Sequence, residues 1–228
     1  MSILSCHQPH YIPSIQYFSR IKRSDVFILQ DDLLYIKQDW INRNRVNVST
    51  GIKYLTIPVG KQDKKTVNEV FPSNDVWVRK HLDTLKMSYS NTPGWKLIEE
   101  DILYFYNRVV FNQPLSIING YFINVIANRL DLPCIIKTSS MYDFGERYDN
   151  PSERNSEMCQ YFGCDTYLAG ASFDDYADKS YFEGIKVIYD DWEPIEYTQK
   201  WVKKFEPNLS IIDLICACIS WEEVKDKL

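Results

Sequence analysis

The chain has 228 residues, with 26 Lys and Arg against 31 Asp and Glu, for a formal net charge of -5. The basic residues are scattered, which argues against a general nucleic-acid binder. No apolar run approaches the length that crosses a bilayer, so the chain reads as not membrane-embedded. A hydrophobic share of 45% suffices for a real core, and the length suits one α/β domain over residues 1–228. Six cysteines without a Cys-x-x-Cys spacing, and no signal peptide ahead of Gln8, point to reduced thiols in a cytoplasmic protein.

Ile3 and Leu4 open a short apolar run that predicts a buried first strand. It breaks into Cys6-His7-Gln8-Pro9-His10-Tyr11-Ile12-Pro13, where the two prolines bias Gln8 and Ile12 toward extended backbone. A helix follows, with Ile15, Phe18 and Ile21 three apart and Arg20, Lys22 and Arg23 expected to face outward. Val26 to Leu29 is the second strand, ending at Gln30-Asp31-Asp32. Strand, loop, helix, strand implies parallel neighbours. In parallel sheets ligands sit beyond the carboxyl ends of the strands, which is where both polar groups fall. Imidazoles, an amide and a thiol at one strand end favour a site over a merely braced loop.

Tyr35 to Arg45 is polar and aromatic with no clean period, so it should line a surface or cleft. Trp40 can stack on a ring, and Asn42 and Asn44 flank Arg43, whose planar guanidinium suits a phosphate or carboxylate. The alternative is a structural Arg43 paired with Asp31 or Asp32. Lys53 to Val59 reads as a strand, Gly60 to Lys65 as a charged turn, and Val67 to Phe71 as a possible return strand. A helix capped by Asn74 or Ser73 follows, burying Val78, Leu82, Leu85 and Tyr89, with His81 expected at the surface. Thr92-Pro93-Gly94 breaks it. Trp95 to Arg108 and the stretch after Pro114 give two more helices, the last burying Ile117, Ile118, Phe122, Val125, Ile126 and Leu130. The result is a helical insertion over about 74–131 in a mainly parallel sheet of Rossmann-like type.

Cys134 to Lys137 predicts a buried strand ending at Thr138-Ser139-Ser140, where hydroxyls and free amides suit an oxyanion. Met141 to Asp149 stays polar, with Asp143, Gly145, Glu146 and Arg147. Asn150 caps a helix with Pro151 in its first turn, an amide-rich end near Arg154 and Asn155 that suits a phosphate. Thr166 to Ala169 is a strand ending at Gly170, where a ligand can approach the backbone closely. Ile185 to Tyr189 is another strand, Ile195 to Gln199 an edge strand or extended arm, and Ser210 caps a last helix with Asp213 in its first turn.

Gln8-Pro9-x-Tyr11-x-Pro13-x-x-x-Tyr17-Phe18-x-x-Ile21-x-x-x-Asp25-x-Phe27 resembles the opening of the WbqC-like family. Asp31-Asp32, Lys37, Trp40, Asn42-Arg43-Asn44, Leu55-Thr56-x-Pro58-Val59, Ser139-Ser140, Tyr167-Leu168-x-Gly170, Tyr197-x-Gln199 and Phe205-x-Pro207-x-Leu209-Ser210 continue the likeness along nearly the whole chain. One departure is Ser14-Ile15-Gln16 where Trp-x-Gly is expected. The resemblance implies a bacterial protein of O-antigen and related lipopolysaccharide pathways.

Three functional classes are compatible with these residues. The preferred one, implied by the resemblance rather than by spacing, is a transferase acting on a nucleotide-linked amino sugar, with acylation as the candidate step. His7 or His10 then does base work with Asp32, while Gln8, Tyr11, Asp31, Trp40, Asn42, Arg43, Asn44, Ser139, Ser140 and Gly170 bind substrate. Cys6 is a weaker candidate nucleophile. The second is an ATP-dependent adenylating or nucleotidyl-transfer enzyme, because Gln8-Pro9 before a helix and strand is similar to nucleotidyltransferases carrying His-x-Gly-His. Tyr11-Ile12-Pro13-Ser14 occupies the matching positions and lacks that signature. The third is a non-catalytic sugar-nucleotide or partner-binding module. No metal ligand set stands out, and the sequence leaves the cofactor open among ATP, acyl-CoA and a carrier protein.

Overall fold

In the computed structural model, which describes residues 1–62, 64–144 and 150–228, the chain begins β1 (Ile3–His7), α1 (Ile15–Lys22), β2 (Val26–Leu29). β1 and β2 are parallel, with Leu4 opposite Val26 and His7 opposite Leu29. Next come an antiparallel hairpin, β3 (Arg43–Val48) with β4 (Gly51–Thr56), then α2 (Val76–Tyr89), α3 (Trp95–Tyr104) and α4 (Leu115–Arg129). The chain returns through β5 (Ile135–Thr138), α5 (Pro151–Tyr161), β6 (Thr166–Ala169) and β7 (Lys186–Tyr189), and closes with α6 (Ile211–Ala217) and α7 (Trp221–Asp226).

The five-stranded sheet runs β5-β2-β1-β6-β7, all parallel. The order reverses between β1 and β6, where the connections leave to opposite sides and a crevice opens beyond the strand ends. Alternation along the strands sorts the two faces. Leu4, Cys6, Val26, Ile28, Tyr167 and Ala169 pack with Met158 and Cys159 of α5. Phe27 and Leu29 pack on the other side with residues of α1, α4 and α6. This is an α/β fold with helices on both faces, and the predicted insertion is present as α2 to α4. All six cysteines are free thiols.

Local signals set several boundaries as expected. Asn150 Oδ1 accepts from Ser152 N at 2.8 Å with Pro151 in the first turn, and Gly163 leaves α5 at φ +67°. Ser210 Oγ accepts from Ile212 N at the start of α6. The departures have identifiable causes. Val67 to Phe71 is no strand: Val67–Glu69 is one 3-10 turn, closed by Thr66 and Glu69 as a capping box. Trp95 to Arg108 is helical throughout as expected, but it is α only to Tyr104, after which Phe105–Val109 widens into a π-helical turn. Ile117 is exposed, and β5 is an edge strand whose Ile135 is likewise exposed. Ile195 to Gln199 is irregular, its side chains bonded instead: Tyr197 Oη donates to Asp213 Oδ2 at 2.9 Å. β3 escaped the sequence reading because one of its inward positions is an asparagine. Asn44 Nδ2 donates to the carbonyls of Tyr11 and Ile12 at 3.1 and 2.9 Å, bracing the loop after β1. Residue 63 of the charged turn and residues 145–149, with Gly145, Glu146 and Arg147, lie outside the described residues.

His81 also departs from expectation. It is 6% exposed, and its Nδ1 lies 2.8 Å from Tyr11 Oη, which itself bonds Tyr106 Oη at 2.5 Å. Burial, then the nearby Lys53 charge, pulls the imidazole down to about 3. Between pH 6.5 and 3 the unfolded chain therefore holds a proton that the folded one lacks, so this group destabilises the fold as pH falls. The expected loss at pH 5 is about 2 kcal/mol. In melting curves at pH 7 and pH 5, the drop should be smaller for His81→Gln than for the native chain; equal drops would remove His81 as the cause.

Candidate functional site

A cavity of about 600 Å³ opens beyond the carboxyl ends of β1, β2 and β6, at the reversal of strand order. β1 supplies Cys6 and His7, and Gln8 follows at the start of the loop. β2 leads to Gln30, β6 to Gly170, and the first turn of α5 brings Pro151, Arg154 and Asn155. Leu34 and Ile36 form an exposed apolar rim.

The loop is held rigidly. Tyr17 Oη donates to Gln8 O at 3.1 Å, Asn119 Nδ2 to Pro9 O at 2.8 Å, and Tyr11 N to Trp40 O at 2.9 Å. Gln8 Nε2 donates to Leu34 O at 3.0 Å, tying the loop to the rim. Ile12 sits at φ +37°, a conformation a β-branched residue adopts only when its surroundings impose it. The His7 and His10 rings meet edge to face at 4.4 Å, both against Tyr17. His7 Nδ1 lies 3.2 Å from Gln8 O, so the proton of the neutral ring sits there and Nε2 is the acceptor. Desolvation, then the Arg20 charge, lowers His7 to about 4. Desolvation, then His7 and Arg20, lowers His10 as well. Both imidazoles are neutral at pH 7.

Arg20 was expected on the outer face of α1. It is 7% exposed and runs beneath the strand ends. Its Nη2 donates to Ser5 Oγ at 2.7 Å and to Leu168 O at 3.3 Å, and its Nε faces Asp190 Oδ2 at 3.9 Å. Asp190 also accepts from Gln16 at 3.0 Å and Arg23 at 3.1 Å. Nη1 makes no hydrogen bond with the described residues, and a Cβ on Gly170 would stand 3.8 Å from it. The absence of that Cβ keeps the wall open beside a buried cation. No local signal marks Arg20, because its acceptors lie on β1, β6 and the segment after β7.

The aspartates and serines form a second cluster. Ser139 Oγ donates to Asp32 Oδ1 at 2.5 Å, while Ser140 N and Oγ donate to the two Asp31 oxygens at 3.0 and 2.8 Å. Arg154 Nη2 joins Asp32 Oδ1 at 2.5 Å, linking the cluster to the cavity wall. Burial raises the Asp31 carboxyl, against the Ser140 hydrogen bonds. The serine hydroxyls thus already hold carboxylates, and the cation paired with Asp32 is Arg154 rather than Arg43.

Of the sequence candidates, His7, Gln8 and Gly170 line the cavity, His10 packs behind His7, and Asp31, Asp32, Ser139 and Ser140 sit beside it through Arg154. Tyr11 points into the His81–Tyr106 network instead. Asn42 Nδ2 donates to Ile57 O at 2.8 Å, and Asn44 braces the loop. Trp40 stacks on Tyr54 at 6.4 Å, with Arg43 4.8 Å over the Tyr54 ring, so these two belong to the outer face of the hairpin. The Cys6 thiol bonds Asn155 Oδ1 and Tyr167 Oη, both at 3.3 Å, and burial pushes its pKa up, which works against a thiolate nucleophile. Among the described residues, no group of three or more His, Cys, Asp or Glu is arranged to hold a metal ion. No helix there is long and apolar enough to cross a membrane.

The chain is 30% identical over 213 residues to the uncharacterized protein Rv1507c of Mycobacterium tuberculosis (strain ATCC 25618 / H37Rv), an alignment covering 91% of this chain and 90% of that one. The WbqC-like protein family matches residues 8–225, from the glutamine at the cavity mouth to the last helix. A match running from the loop after β1 through β2, β5, β6 and β7 makes this chain a member of the WbqC-like protein family.

Proposed function

We propose that the protein is a transferase in the synthesis of bacterial surface-polysaccharide (O-antigen) precursors, acting on a nucleotide-linked amino sugar, with acylation as the reaction. The observation that carries this reading is the buried Arg20 guanidinium, whose Nη1 makes no hydrogen bond with the described residues, at the strand-order reversal beside a neutral His7. A diphosphate fits there, between that cation and the amide-rich first turn of α5. The sugar then lies toward His7, Gln8 and Asn155. His7 Nε2, as a neutral acceptor, takes the proton from an attacking amine and returns it to the leaving group as the acyl bond transfers. A phosphate bound near His7 raises its pKa from about 4 toward the range where such exchange is efficient.

A thermal-shift panel tests the ligand class. Nucleoside-diphosphate amino sugars are expected to raise the melting temperature. Stabilisation by ATP with no response to any nucleotide sugar would replace this reading with adenylating chemistry. His7→Ala separates catalysis from binding: turnover should vanish while the nucleotide-sugar shift persists.

A further inference from the structure

Two residues chosen from the sequence, Trp40 and Arg43, stand apart from the cavity, and a second cleft lies next to them. It has a volume of about 560 Å³ and runs between β4 and α2. Lys53 and Tyr54 form one wall, and Asn74, Trp77, Lys80 and His81 the other. No carboxylate lines it among the described residues. Among the described residues, Lys53 Nζ donates only to Thr84 Oγ1, at 3.3 Å, and neither Lys53 nor Lys80 is in an ion pair. The hairpin register puts Arg43 opposite Thr56 and Arg45 opposite Tyr54, so these side chains share one face. Arg43 covers Tyr54 at 4.8 Å, and Trp40 extends the aromatic surface at an interplanar angle of 21°. In a chain of net charge -5, this cleft carries two lysines, Lys53 and Lys80, outside any ion pair among the described residues, while Arg45 on the neighbouring face is paired with Glu206 at 2.6 Å.

We propose that this cleft is a second ligand site, and that its ligand is a sugar carrying a phosphate or a carboxylate. The lysines meet the anion, the Asn74 amide and Thr84 hydroxyl meet ring hydroxyls, and the Tyr54 and Trp77 rings take the apolar edge of the pyranose. Trp40 and Tyr54 are already stacked on each other, which leaves no slot between them for a flat base and favours a sugar over a nucleotide. The floor reports to the first site. His81 bonds Tyr11, and Tyr11 lies in the loop that carries Gln8 and His10. The inference does not depend on what the first cavity binds.

Tryptophan fluorescence of the intact chain is the test, since Trp77 lines the cleft and Trp40 stacks on its wall. Glucose 6-phosphate or glucuronate should give a saturable change, with glucose about tenfold weaker or worse. The exposed pair Lys53→Met/Lys80→Met should weaken the acidic sugar by about tenfold or more while keeping the native melting temperature. No saturable change with either acidic sugar up to about 10 mM overturns the proposal. So does an unchanged affinity in the double variant, which puts binding elsewhere. Inorganic phosphate binding as tightly as the sugar phosphate would leave only a bare anion hole, and AMP binding about tenfold more tightly than both sugars would make the site a nucleotide site.

Discussion

Arg20→Met is expected to abolish binding of a nucleoside diphosphate at the cavity, by at least about thirtyfold, and to destabilise the fold by about 3 kcal/mol. The two effects have separate origins. Stability falls because the guanidinium donates to Ser5 Oγ and to the Leu168 carbonyl across β1 and β6, two strands otherwise joined by a short ladder and by the Ser5 Oγ hydrogen bond to Leu168 O at 2.8 Å. The loss stays at the low end for a buried ion pair because Asp190 keeps Arg23 and Gln16 when Arg20 is gone. Binding falls because the unbonded Nη1 beside Gly170 is the buried cation of the cavity, and methionine fills its volume without its charge. Arg20→Lys keeps the charge but lacks the planar fork, so it should restore part of the affinity and little of the stability. Urea unfolding and calorimetric titration with a nucleoside diphosphate read the two quantities separately. A variant that loses stability but binds as the native chain does would leave Arg20 a purely structural residue.

Gly94→Ala should be the most disruptive small substitution, at about 4 kcal/mol. Gly94 precedes α3 with φ -89°, so no unusual backbone is required of it. Space is the constraint. A Cβ would stand 1.9 Å from Ile215 O and 2.5 Å from Cys218 O, the carbonyls at the end of α6, and Gly94 N donates to Cys216 O at 3.1 Å. Backbone cannot step aside as a flexible side chain can, so α3 and α6 must separate. Gly120 is the control. Its Cβ would meet only Leu29 Cδ1, at 3.6 Å, inside α4. Gly120→Ala should therefore leave stability unchanged or raise it by up to about 1 kcal/mol, because alanine is the better helix former. Comparable losses in the two variants, by urea or thermal unfolding, would refute the close approach of α3 to α6.

Features written in neighbouring residues are legible along the chain alone. Ile15, Phe18 and Ile21 specify α1 by spacing, Asn150-Pro151 starts α5, and Pro9 and Pro13 stiffen the loop after β1. Short apolar runs that each end in polar residues predicted parallel strands with their chemistry at the carboxyl ends, and His7, Gln8 and Gly170 do meet there. These signals are local because periodicity, capping and proline geometry act over a turn or less. Long-range packing sets what lies across from each residue. It buried Arg20, whose acceptors come from three distant segments, and turned His81 and Tyr11 toward each other. It hid the alternation of β3 by giving Asn44 an inward task, and it moved Trp40 and Arg43 from the first cavity to the face of the hairpin. A buried polar group is stable only beside a partner. Here the partners stand far away along the chain, so no window of sequence contains both halves of the pair.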